Sequence, residues 1–156
     1  MKLQDYLANH TSKMAQVLTH FVTTTDQTKL DWTPDYPGSA GTRSISDQVK
    51  ECIAVNRLFK GRLLGDSTAP KGPLGTEVVC TSTADALKQL QESADELAAV
   101  IRALTDEQIA ADVVTHRGTM AAGDVCMLPI RNMAYHSGQM NLYQMLLGDD
   151  VFHMPA

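Results

Sequence analysis

Near the end of the chain, the run NMAYHSGQM (Asn132 to Met140) sets a carboxamide and an imidazole one helical turn apart inside an apolar stretch. Asn132 and His136 are i and i+4, so on a helix both side chains lie on one face. Gln139 flanks the imidazole at i+3, and Tyr143 continues its face at i+7. Far upstream, Glu51 shares a helix side with Val55 and Leu58. A carboxylate among apolar neighbours is costly unless something partners it. Brought together, Glu51 and His136 can work as a general acid–base pair. The three groups can equally hydrogen-bond to one another in a small polar cavity. No Ser-His-Asp order, phosphate-binding loop or glycine-rich dinucleotide fingerprint offers a rival chemistry.

Four segments read as the helices that must position these groups. The first spans about Leu3 to Thr24, with an i, i+3, i+4 stripe through Leu7, Met14, Leu18 and Phe21. The second spans about Ser44 to Leu63, with Ser44 as N-cap and Asp47 three residues on. The third carries the seam Leu87, Leu90, Ala94, Leu97, Ile101 and Leu104, which alternates steps of three and four, and Ser82 with Asp85 starts it. The fourth spans about Ala121 to Leu147 and is apolar nearly all round, which predicts a central position; Gly148 is a natural stop. Pro129 means that this helix either begins nearer the proline or kinks there. A one-turn helix is predicted to start at Thr105, and a short extended piece at Glu77–Cys80. The Pro- and Gly-rich stretches DWTPDYPGSAGTR and GDSTAPKGPLGTEVV are the connections. Long first and second crossings between amphipathic helices predict an all-α four-helix bundle, one domain over residues 1–156.

Other side chains have plainer roles open to them. His10 and His20 lie on the first helix, and His20 is a candidate to project into the bundle. His116, with Arg117 beside it, falls in the loop before the last helix and within reach of the cavity mouth. Trp32, after Asp31, reads as a plug at one end of the bundle. Met120, Met127, Met133, Met140 and Met145 read as packing.

A net charge of −5, without a run of Lys or Arg along one face, argues against a nucleic-acid partner. The N-terminus lacks the apolar core of a signal peptide and no stretch is long enough to span a bilayer, so the expected setting is cytoplasmic. Cys52, Cys80 and Cys126 are odd in number and far apart, and read as small buried hydrophobes.

The stretches WTPDYPGSAGTRSISDQVKECI and NMAYHSGQMNLYQMLLG resemble the DinB/YfiT-like family of four-helix-bundle proteins. That family typically shows Trp-x-Pro, a helix opening with Ser-Ile, and a last helix with Ala-Tyr-His-x-Gly-Gln that ends in Leu-Gly. Trp32 and Pro34, Ser44 and Ile45, Ala134 to His136, Gly138 and Gln139, and Leu147 and Gly148 fall in register with it. In the family three histidines commonly hold a divalent metal with an open position. Carried over, only His136 remains a histidine, with Glu51 and Asn132 at the other two positions. The resemblance thus implies a Glu51/Asn132/His136 metal site for Zn, Ni, Mn or Fe. An amide oxygen is a weak zinc ligand, better suited to harder cations. By the same resemblance the activity would be metal-dependent hydrolysis or transfer of a low-molecular-weight thiol, with Glu51 and His136 in catalysis. The alternative is a non-catalytic bundle, its metal lost, that binds a small apolar or stress-related molecule. Family members are often dimers, so a homodimer is expected, with no membrane partner.

Overall fold

The computed structural model describes residues 1–35, 38, 41–116 and 118–154, so Arg117 lies outside the described residues. The long helices are α1 (Leu3–Thr24), α2 (Ile45–Leu63), α3 (Thr83–Ala103) and α5 (Ala122–Leu146). Between the last two come the one-turn α4 (Asp106–Ala110) and an antiparallel hairpin of β1 (Asp112–Thr115) and β2 (Gly118–Ala121). The result is the expected all-α bundle with one small hairpin added.

The helix starts follow from side-chain chemistry. The Ser44, Ser82 and Thr105 hydroxyls each accept a bond from the backbone N–H three residues on, and Gln108 returns the favour at Thr105. Each such cap is worth about 1 kcal/mol. α1 lies against α3 and α5, and α2 lies against the same two. Each long helix therefore packs against two of the other three long helices. Leu18, Ile53, Leu90, Leu97, Ile101, Met133 and Met140 are fully buried where the faces meet. Trp32 packs against this core with its ring edge-on to Tyr143, centroids 5.6 Å apart.

The structure corrects the sequence reading in four places. α5 is not central: Tyr135, Leu142, Met145 and Leu146 on its outer face are all more than half exposed. Met145 therefore does not pack in the core as Met133 and Met140 do. α5 begins at Ala122, as the span from about Ala121 anticipated, and holds Pro129, itself buried, at the loss of one helical hydrogen bond. Glu77–Cys80 forms no strand, whereas the stretch around His116, read as loop, forms the hairpin. Its register pairs Val113 with Met120 and Val114 with Thr119, and Gly118 turns the chain at φ +106°.

Candidate functional site

α2 and α5 bring Glu51, Asn132 and His136 together. Asn132 Nδ2 donates to Glu51 Oε1 over 3.4 Å, and His136 Nε2 lies 3.5 Å from the same oxygen. His136 is buried, and its Nδ1 sits 2.8 Å from Gln139 Oε1. A carbonyl oxygen only accepts, so Nδ1 donates to Gln139, while Nε2 faces Glu51. Among the described residues that Nε2 has no hydrogen-bond partner.

Two further contacts decide how the cluster works. The first is the Arg43 guanidinium, which sequence reasoning missed: Nη1 donates to Glu51 Oε2 and to the Leu74 carbonyl. The only signal in the sequence was a cation directly ahead of the Ser44 cap, facing a carboxylate in need of a partner. The second is Cys52, whose thiol donates to Asn132 Oδ1 over 3.4 Å. Burial, and then the charge of Glu51, push that thiol well above its ordinary range, so the donor proton stays in place. With its oxygen turned to Cys52, the Asn132 amide shows Glu51 its N–H.

Burial, the largest influence on Glu51, raises its carboxyl. The contact with His136, the Arg43 charge and the Asn132 amide together outweigh it and hold the carboxyl below its usual range. An effective general base titrates near the working pH. Glu51 is instead set to remain an anion.

Beside the cluster lies a pocket of about 150 Å³. Glu51 and Asn132 form its polar side, with Val55, Leu58, Phe59 and Leu128 among its apolar walls. Thr115, His116 and Met120 from the hairpin line it too, so the element missing from the sequence reading contributes a wall and an exposed imidazole. The remaining histidines of helix one pack along α1, His10 on Tyr6 and His20 on Phe21.

A divalent metal takes a lone pair from each of its ligands. Glu51 Oε1 and His136 Nε2 are suitable donors. The third side chain offers an N–H instead of a lone pair, and a permanent cation already shares the carboxylate. Among the described residues no three His, Cys, Asp or Glu side chains converge as a metal shell. The residues present do not fit a resident divalent metal.

The sequence profile of the DinB superfamily matches residues 10–140. The chain belongs to the DinB superfamily. None of the curated proteins compared with it matches. The match takes in α2 and most of α5, and so the whole Glu51, Asn132 and His136 cluster of this DinB-superfamily protein. Among the described residues no helix is long and apolar enough to cross a membrane.

Proposed function

We propose that this DinB-superfamily protein binds a small, largely apolar molecule bearing a hydrogen-bond donor, in the pocket beside Glu51 and without a resident metal. One observation carries the reading. Glu51 Oε1 borders an apolar pocket, yet its two neighbours stand at 3.4 and 3.5 Å, longer than a good hydrogen bond. It is an ionised acceptor with capacity to spare. An amine, an alcohol or the S–H of a low-molecular-weight thiol would complete it while its apolar part meets Val55, Leu58 and Phe59. His116 at the wall would meet the polar end of a longer ligand.

The test is a thermal-shift panel of small amines, alcohols and thiols, repeated on Glu51→Leu. A ligand at a hundred times its Kd stabilises the fold by about 2.7 kcal/mol, a readily measured rise in Tm. At least one class should raise Tm in the parent and not in the variant. A panel that shifts neither protein contradicts the proposal.

A second reading, metal-dependent hydrolysis or thiol transfer with Zn, Ni, Mn or Fe, draws support from the orphaned His136 Nε2. Its 3.5 Å separation from Glu51 Oε1 is near what two neighbouring ligands of a tetrahedral ion span, with bonds of about 2.1 Å. It requires Arg43 to leave Glu51 and the Asn132 amide to turn over. In that event Glu51, Asn132 and His136 would hold the ion, which would lower the pKa of bound water or thiol.

The outer face of α5 suggests an assembly. Tyr135, Leu142, Met145 and Leu146 form an exposed apolar stripe on one helix, and we propose that two copies pair across it. Light scattering should give twice the chain mass, and Leu142→Glu should halve it. A monomeric parent contradicts the pairing.

A further inference from the structure

We infer that Arg43 is a built-in counter-ion that keeps divalent metal out of this pocket, and that removing its charge opens Glu51 and His136 to one. The inference rests on the metal-free reading proposed above. Arg43 stands in the connection ahead of α2, where a long side chain would ordinarily move freely, yet it is fixed at both ends. Its carbonyl accepts from the Tyr143 hydroxyl and from Gln48 Nε2, each at 3.0 Å. Its guanidinium bonds Glu51 and the Leu74 carbonyl.

Leu74 reaches it because Gly75 takes φ +94° and lies flat on α2. A Cβ there would stand 2.7 Å from the Glu51 nitrogen and 2.9 Å from the Lys50 carbonyl carbon. Contacts from α2, α5 and the following connection thus converge to place one cation. A purely structural donor would need only the Leu74 carbonyl. Contact with the carboxylate makes the role electrostatic.

A guanidinium stays charged at every working pH. It neutralises Glu51 permanently and repels a second cation held within a few ångströms, where the local dielectric is well below that of water. The Asn132 amide acts in the same direction, since the Cys52 thiol draws its oxygen away from Glu51. Losing the guanidinium would leave an ionised carboxylate facing the free Nε2 of His136, two donors 3.5 Å apart. Such a pair calls for a cation.

The test is Zn²⁺ titration by calorimetry of tag-free parent, Arg43→Met, Arg43→Lys and Arg43→Met/Glu51→Gln, with helix content checked by circular dichroism. Arg43→Met should bind at least about tenfold tighter than the parent. Arg43→Lys keeps the charge and should stay near the parent, and the double variant should lose the gain. Co²⁺ should give a visible-absorption signature of a nitrogen–oxygen shell in Arg43→Met and not in the parent. If Arg43→Met does not fold, Arg43→Gln, which keeps a donor for Leu74, carries the same prediction. A folded Arg43→Met or Arg43→Gln that binds Zn²⁺ no tighter than the parent overturns the inference and leaves the metal-free reading of the parent standing. A parent that already holds a stoichiometric ion overturns that reading as well.

Discussion

The seam of α3 and the contact between α2 and α5 solve the same problem, burying a helix face, by opposite means. Along α3, Leu90, Ala94, Leu97 and Ile101 are all 0% exposed, so apolar side chains dominate the buried contact with its neighbours. Its one buried hydroxyl, Ser93, both accepts from Asn56 and donates to the Leu90 carbonyl. Between α2 and α5 a carboxylate, an imidazole, an amide and a thiol share the interior, and a cation from outside the helices completes them. The first arrangement is stable and chemically silent. The second tolerates desolvated polar groups and leaves Glu51 with an under-used oxygen at a pocket wall.

Substitutions in the two regions should have different consequences. Leu97→Ala on the silent side should have the largest effect, destabilising the fold by about 2–5 kcal/mol in chemical denaturation. It should leave ligand-induced shifts at the Glu51 pocket intact. On the other side, Gly75→Ala forces a side chain into the α2 backbone from a left-handed conformation, and should cost about 1–3 kcal/mol. It should also loosen the Arg43 contact, so that Zn²⁺ affinity rises together with the loss of stability. A Gly75→Ala protein as stable as the parent would show that Leu74 does not need this close approach.

A smaller effect is expected from pH. The Glu51 carboxyl is held below its ordinary value in the folded chain and returns to it on unfolding. Its contribution to stability is therefore present above the unfolded value of about 4.3, and is lost as pH falls through the lower, folded one. Melting curves from about pH 6 to about pH 3 should fall more steeply for the parent than for Glu51→Gln, which has no carboxyl to titrate there. Parallel curves would mean that Glu51 gains nothing from His136, Arg43 and Asn132.

The same division marks what could be read from the sequence. Helix bounds were legible because Ser44, Ser82 and Thr105 are local caps, and because the α3 seam has one period. The shared face of Asn132 and His136 and Glu51's need for a partner were legible from helical spacing on apolar faces, and the family resemblance implied that the three meet. Arg43 was not, since its place depends on Gly75, Tyr143 and Gln48, a meeting of segments with no periodicity. The hairpin escaped because four-residue strands are too short to show alternation. The open face of α5 escaped because a helix that is apolar all round does not reveal which side lacks a neighbour.

Arg43 and Asn132, and not a metal ion, complete the Glu51 and His136 cluster in the reading proposed above. Elemental analysis of tag-free protein, with Glu51→Ala and His136→Ala beside it, tests this most directly. Far less than one equivalent of Zn, Ni, Mn or Fe per chain is expected in all three. One equivalent in the parent that both substitutions remove would contradict it.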